Sequence, residues 1–415
     1  MFSFLLSLPA NQAIKILQRG RITPLPDTKK AQKALNPALH AVNNPALRRD
    51  KLVHTDSGEH LEKVARIALP LQELIIKRAV AFLFGEPVTY LASPQDDTQK
   101  QMLSTIEHIL TQAKENSLNR RIARAVFSFG ECAELWYPEP LKEPSSAYGF
   151  PCAFKLRCAL FSPAFGDTLY PYFNQVGDMV AFSRAYRGER LLPDPNLPAA
   201  LVDYFETYTA ENHYLWMRES DTYHLVEGYP KPISIGKIPV VYAAQEHLET
   251  EQVDPLIDRL EHLLSNFAET NDYHASPKIF VTGTINGWSQ KGEAGAVIEG
   301  DKDASMQYIS WHNAPESVKL EMDTLLRMIY TLTQTPDISF DNMRGMGNLS
   351  GVALKLLFLD AQLKVQDKRE IFDQYLLRRI SILKAYLAQM HTPWRKALAS
   401  LEVIPQIHNL LNENK

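Results

Sequence analysis

The sequence predicts an α+β protein, mainly α, and three observations carry that prediction. Apolar residues recur at three-and-four spacing through 251–275 and 315–335, the mark of amphipathic helices. Between 152 and 243 the pattern changes to aromatic-rich runs of period two, each bounded by Gly, Pro, Asp or Asn, which is the mark of antiparallel strands. A single helical pattern then runs from 351 to 390. With 415 residues, 45% apolar and 22% charged, the chain has the composition of an ordinary globular protein and the length for two or three domains.

Residues 1–56 are punctuated by Pro9, Pro24, Pro26, Pro37 and Pro45 and read as short helices joined by irregular chain. The opening MFSFLLSLPA lacks a basic start, is too short to span a bilayer, and is expected to pack on the body or on a neighbour. Residues 58–84 read as a helix broken near Pro70, stopped by Gly85 and followed by the strand-like PVTYL. Helices at 98–115 and 117–129 come next, the second stopped by Gly130 ahead of the strand ECAELWY. The period-two runs are CAFKLRCALF, DMVAFSRAYR, NHYLWMRE, TYHLVEG and KIPVVYA. They make residues 1–250 an α+β body.

In 251–275, Val253, Leu256, Ile257, Leu260, Leu263, Leu264 and Phe267 mark one apolar face, and Asp254 with Pro255 makes an N-cap and first turn. Residues 277–312 read as a small β insertion of hairpin-connected strands, with turns at NG and GDKD. Helix returns at 315–335, with Val318, Met322, Leu325, Leu326, Ile329 and Leu332 on one face. The loop TPDISFDNMRGMGN leads to Ser350, which can cap the helix 351–390, about 60 Å long at 1.5 Å per residue. Few monomeric domains need such a rod. The residues from His391 onward contain Pro393 and Pro405 and read as short, weakly defined structure.

Charge and chemistry exclude several classes. The chain has 44 basic and 48 acidic residues, a net charge of −4, whereas a protein that holds DNA by counterion release carries a basic excess. Any contact with DNA is expected to be weak. Cys132, Cys152 and Cys158 form no C-x-x-C pair, which argues against a disulfide framework or a structural zinc. Gly345–Gly351 ahead of a helix suggests a phosphate loop, but neither a βαβ context nor a Gly-Lys-Ser/Thr follows. Glu299, Asp301 and Asp303 lack the glycine and closing glutamate of a calcium loop and read as a solvated hairpin turn. The twelve histidines form no metal-binding pair, so no enzyme is predicted and no cofactor or metal is expected. Between 246 and 272 lie Glu246, Glu249, Glu251, Asp254, Asp258, Glu261, Glu269 and Asp272 against the single base Arg259. That run reads either as a solvated helix face or as a surface that stays near DNA without sticking to it.

Several segments resemble the portal (head-to-tail connector) family of long-tailed bacteriophages, in that family's order. Lys77–Val88 (KRAVAFLFGEPV) is similar to the helix-to-strand junction of the wing, and Asn119–Tyr137 (NRRIARAVFSFGECAELWY) to the next such junction. Ile235–Val241 (IGKIPVV) resembles the strand that leads into the first stem helix. Thr335–Ser339 (TPDIS) with Gly347–Lys355 (GNLSGVALK) resembles the tunnel loop and the start of the long wing helix.

The resemblance implies a portal-like architecture. Residues 1–250 would be the wing, 251–276 and 314–336 the two-helix stem, 277–313 the clip, 337–350 the tunnel loop and 351–390 the long wing helix. The family usually adds a helical crown, of which only 391–415 remains here, so the crown is minimal or truncated. The implied function is a ring, typically a dodecamer, at one capsid vertex of the virion, assembled in the host cytoplasm with no membrane association. Double-stranded DNA would pass through it in packaging and ejection. Its implied partners are the terminase large subunit, head-completion or adaptor proteins, and the major capsid and scaffolding proteins. The tunnel-loop residues Asp337, Asp341, Asn342, Met343, Arg344, Gly345, Gly347 and Asn348 and the stem residues Asp254, Asp258 and Glu261 are the candidates to face the channel. Two alternatives belong to other classes: a non-viral oligomeric scaffold or adaptor, and a nucleotide-binding enzyme built on Gly345–Gly351.

Overall fold

The computed structural model describes residues 7–55, 58–190, 200–275, 278–287, 299–309, 315–338 and 358–408. The chain begins with helices α1 (Ala10–Arg19) and α2 (Thr28–Leu35) and the hairpin β1 (Lys51–Thr55) and β2 (Gly58–Glu62). Helix α3 (Leu71–Phe84), strand β3 (Thr89–Ala92) and helices α4 (Asp97–Gln112) and α5 (Glu115–Phe129) follow. A run of strands comes next: β4 (Glu131–Ser145), β5 (Cys152–Phe161), β6 (Thr168–Phe173), β7 (Met179–Arg190), β8 (Ala200–Tyr208) and β9 (Asn212–Glu219). Strands β10 (Thr222–Leu225), β11 (Lys231–Pro232) and β12 (Val240–Ala244) complete it. Helix α6 (Asp254–Ala275) and helix α7 (Pro315–Leu332) enclose β13 (Lys278–Thr282), β14 (Ile285–Gly287), β15 (Glu299–Gly300) and β16 (Ser305–Ile309). The long helix α8 (Leu359–Met390), the short α9 (Arg395–Ser400) and β17 (Val403–Gln406) end the described chain. Helix makes up 44% and strand 28%, with antiparallel sheets, so the predicted α+β class holds.

Contacts divide the chain into two units, Met1–Leu35, Gln72–Glu251 and Gln334–Lys415 in the first, Asn36–Leu71 and Gln252–Thr333 in the second. The expected continuous body 1–250 is therefore interrupted, because Asn36–Leu71 packs with α6 instead.

The first unit is built on three sheets, ordered β12-β4-β5, β10-β9-β8-β7-β6 with β11 added to β9, and β17-β3. Its main core packs α3, α4, α5 and α8 around β4 through Ile76, Leu83, Phe84, Met102, Val126, Phe127, Trp136, Phe372, Leu383 and Leu387. Local signals explain the boundaries. The Asp96 side chain accepts from the Gln99 N–H and caps α4. Gly130, at φ +84°, ends α5 in the left-handed conformation that glycine adopts without strain. Beyond β12 no described strand pairs with that edge of β4, and prolines blunt it. The Trp136 N–H donates to Pro239 O on that side, so alternation along the strand directs positions 138 and 140 there too. Both are proline and have no N–H to offer a foreign strand.

Several elements differ from the sequence reading. Residues 58–62 are the second strand of a hairpin, with Leu52 opposite Leu61, and helix begins only after Pro70. Proline starts α3 rather than breaking it, since the first turn of a helix needs no N–H there. Strands β6 and β8 are additional. Pro171 argues against a strand in TLYPYF, but β6 is the edge of its sheet, where a missing donor is tolerated. The described residues after His391 are packed, with Trp394, Leu398, Leu401, Val403 and Ile407 in the main core. Strand β17 pairs with β3, Val403 opposite Ala92 and Gln406 opposite Thr89, a partner that no local signal reveals. The expected helix 351–390 is described over 359–390, about 48 Å at 1.5 Å per residue, and 351–357 lie outside the described residues.

A buried charge cluster in the six-stranded sheet gives a pH prediction. Burial alone would raise the Glu206 carboxyl, but the hydrogen bond from His213 Nε2 (2.7 Å), Arg184 (2.6 Å) and the Tyr208 hydroxyl (2.6 Å) outweigh it and hold its pKa near about 2. A depressed carboxylate pKa stabilises the fold above its unfolded value and loses that contribution as pH falls through the folded value. A drop of about 2.5 units is worth about 3 kcal/mol. Neighbouring Asp167 shifts upward, chiefly through burial, and acts in the opposite sense, so the effect is read as a difference. Wild-type protein should lose about 3 kcal/mol more than Glu206→Gln between pH 4.5 and 2 in chemical denaturation. Parallel curves for the two proteins would show that Glu206 does not make this contribution.

In the second unit α6 and α7 lie together, tied by Arg259 to Glu321 at 2.7 Å. Between them β13 pairs with β16 and β14 with β15, one ribbon following the other, and the Ala304 N–H closes a turn on Asp301 O.

Candidate functional site

The acidic run that is conspicuous in the sequence is not one solvated face. In the first unit, the Glu249 side chain is 6% exposed and lies between Lys364 Nζ at 2.5 Å and Lys368 Nζ at 3.1 Å. Burial would raise its carboxyl, but the two lysines hold it below the usual carboxylate range. Glu251 is lowered chiefly by its hydrogen bond from Lys30, at 2.8 Å. In the second unit, Glu269 accepts from Arg48 at 2.5 Å and Lys51 at 2.7 Å. Burial acts to raise this carboxyl, and its two cations outweigh it and lower its pKa. The bases that answer these acids stand far away in sequence, so counting charge within 246–272 misses them.

The three stem candidates part company. Asp254 and Asp258 are half-buried, and Asp258 lies 3.8 Å from His262. Glu261 is 1% exposed, against the expectation of an accessible face. Its Oε1 meets His40 Nδ1 at 2.7 Å and accepts from the Leu69 N–H at 2.7 Å. The reason is the segment 36–71, which lies along α6: the Ile67 N–H also donates to Ser265 Oγ at 2.9 Å. A glutamate among Leu260, Leu263 and Leu264 is a weak hint of burial, but its partner histidine sits more than two hundred residues earlier. Leu332, expected on the buried face of α7, is 50% exposed, and Leu320 (69%) and Met328 (46%) are exposed on the same helix.

The loop candidates begin at a fixed point. Gln334 takes a left-handed φ of 49° after α7, Thr335 and Pro336 are buried, and Arg78 Nη1 donates to Pro336 O at 2.7 Å. Asp337 is half-buried and Ile338 is 42% exposed. Asp341, Asn342, Met343, Arg344, Gly345, Gly347 and Asn348, the cap Ser350 and the glycine loop up to Gly351 lie outside the described residues. Among the described residues no group of three or more His, Cys, Asp or Glu stands where a metal ion could be held. None of the described helices is long and apolar enough to cross a membrane.

The long helix α8 is anchored by a buried network that sequence reading leaves unnoticed. Arg379, 0% exposed, donates through Nε and Nη2 to the two oxygens of Glu134, each at 2.8 Å. Its Nη1 reaches Asn119 Oδ1 at 2.7 Å and Glu115 Oε1 at 3.2 Å. Trp136 Nε1 donates to Glu134 at 3.0 Å, and the Tyr386 hydroxyl donates to Trp136 O at 2.8 Å. One guanidinium thus ties α8 to α5 and β4. The arrangement fixes a rod in a body and brings together no nucleophile, base and orienting group of the kind catalysis needs.

Comparison with known proteins bears on what such a body does. A family model described as phage portal protein, SPP1 Gp6-like, matches residues 26–404. Among solved structures the chain is similar to one from the "Neck of empty GTA particle computed with C6 symmetry", with a TM-score of 0.43 and 10% identity, covering 83% of this chain and 80% of that one. No curated protein matches it.

Proposed function

This chain belongs to the phage portal protein family, and on that premise we propose that it assembles as a closed ring at one capsid vertex, the conduit for double-stranded DNA. The observation that carries the reading is the extent of the family match, which runs from residue 26 to 404 and so takes in segments of both units. In this reading α6 and α7 are the stem, the strands between them the clip that meets terminase and head-completion proteins, 337–350 the tunnel loop, and α8 the long wing helix. The protein is a component of the virion. It works as a conduit rather than an enzyme, and the energy for translocation comes from the terminase.

Exposed apolar side chains support assembly. Leu320, Met328 and Leu332 on α7 and Leu359, Leu363 and Leu377 on α8 are all at least 44% exposed in the single chain, and a neighbouring subunit can cover them. Side-by-side heterologous contacts that close make rings. The net charge of −4 suits a duplex that slides, since tight phosphate contacts would oppose movement. Native mass spectrometry with negative-stain imaging of the purified protein tests the proposal. Closed rings of one stoichiometry are expected. A strictly monomeric species at micromolar concentration, across salt conditions and with capsid and scaffolding proteins present, would refute it.

A further inference from the structure

The outward side of α8 is divided by charge. Asp360, Asp367 and Glu370 stand exposed in its N-terminal half, with Leu363 between them. Arg378 and Lys384 stand half-buried in its C-terminal half beside the exposed Leu377. Steps of three, four and seven residues keep Asp360, Leu363, Asp367, Glu370, Leu377 and Lys384 on one side of the helix, with Arg378 at its border. The helix dipole favours acid at the N-terminus but fades within the first turn, so it accounts for Asp360 and not for Asp367 or Glu370.

The basic half borders a groove of about 420 Å³, where Lys384 is joined by Lys237 and Arg395 above a floor that includes Ala385, Ala388 and Leu398. Glu402 lines the same groove, so among its described lining residues three cations stand with one carboxylate. Arg378 and Lys237 also line an adjoining groove, with Glu211. The partners of these cations are neutral oxygens: Lys237 donates to Ser381 Oγ at 2.7 Å, Lys384 to Leu401 O at 2.6 Å, and Arg378 to Ile238 O at 3.2 Å. The two cations of this unit that are buried among the described residues, Arg379 and Lys364, meet carboxylates, Glu134 and Glu249. Here burial, then the nearby Arg378, pushes the Lys237 ammonium below its ordinary range. Burial, then Lys237, does the same to Lys384. An arriving anion would relieve that strain. On the acidic half, the Asp367 side chain is 73% exposed, and its ion pair among the described residues is with Lys368, at 3.8 Å, which Glu249 also engages.

We propose that the Lys237–Lys384–Arg395 groove of one copy receives the Asp367 and Glu370 face of α8 from a second copy, a head-to-tail contact repeated around the ring. The proposal rests on the ring assembly argued above. A second copy fits better than a duplex because the occupant must bring apolar surface as well as negative charge. Leu363 beside Asp367 supplies it, and a phosphate backbone does not.

Charge reversal tests this. Lys384→Glu with Arg395→Glu makes both surfaces acidic, and Asp367→Lys with Glu370→Lys makes both basic. Each variant, with an unchanged thermal midpoint to establish folding, should lose at least about tenfold in ring population, because like charges then face one another. An equimolar mixture should regain assembly, since each acidic groove meets a basic helix and the reverse, and native mass spectrometry should show alternating copies. Full assembly by either variant alone, or a mixture that yields not even heterodimers, would overturn the contact. Variants that assemble normally but lose DNA binding would assign the groove to phosphate instead and also overturn it. Absence of rings in the wild type is a separate result that strikes the ring reading, and the heterodimer readout still decides the contact.

Discussion

Replacing Arg379 with methionine should lower the stability of the first unit by about 3–5 kcal/mol, the typical consequence of leaving one partner of a buried ion pair unpaired. Glu134 is 0% exposed and takes both of its strong hydrogen bonds from this guanidinium, so its carboxylate would be stranded with only the Trp136 indole N–H. Asn119 and Glu115 would lose a donor as well. The sign of the rescue distinguishes a structural pair from a steric effect. Methionine at both 379 and 134 should recover most of the loss, because a well-packed apolar pair replaces a desolvated one. Urea unfolding followed by tryptophan fluorescence reads both variants, and Trp136 lies inside the network. A single variant within about 1 kcal/mol of wild type would show that water reaches the site and screens it.

Shortening residues 340–348 to a brief Gly/Ser link should leave folding and ring formation intact and reduce packaged or retained DNA to near background. The sequence reading gives the connection fourteen residues, from Asp337 to Ser350, whereas joining two helices needs only about two to eight. Its start is fixed independently of the deleted part, by buried Thr335 and Pro336 and by the Arg78 bond to Pro336 O. Removing the tip therefore spares that anchor. On the proposed reading each copy's loop would face the axis, where Arg344 would touch a phosphate singly while Asp337 and Asp341 would keep the contact weak. An in vitro packaging assay decides the matter. Wild-type packaging and retention would remove the collar role, and loss of rings would make the loop an assembly contact.

What the sequence by itself determined was local. The helices α4 to α7 and the strands β5, β7 and β9 follow from periodicity and from stops such as Gly130, because backbone geometry and side-chain spacing act within a few residues. The family likeness, too, was legible in short junctions, and the match over 26–404 agrees with it. Tertiary structure alone decided where charges go and which segments share a unit. Glu261 looks solvent-facing until His40 and Leu69 arrive, and Glu249 looks repulsive until Lys364 and Lys368 do. The same holds for β17, whose edge is completed by β3 more than three hundred residues earlier, and for Arg379, an unremarkable base in a helix until Glu134 and Asn119 close around it. The physical reason is common to all four. Desolvation and pairing depend on what lies within a few ångströms in space, and chain separation carries no information about that distance.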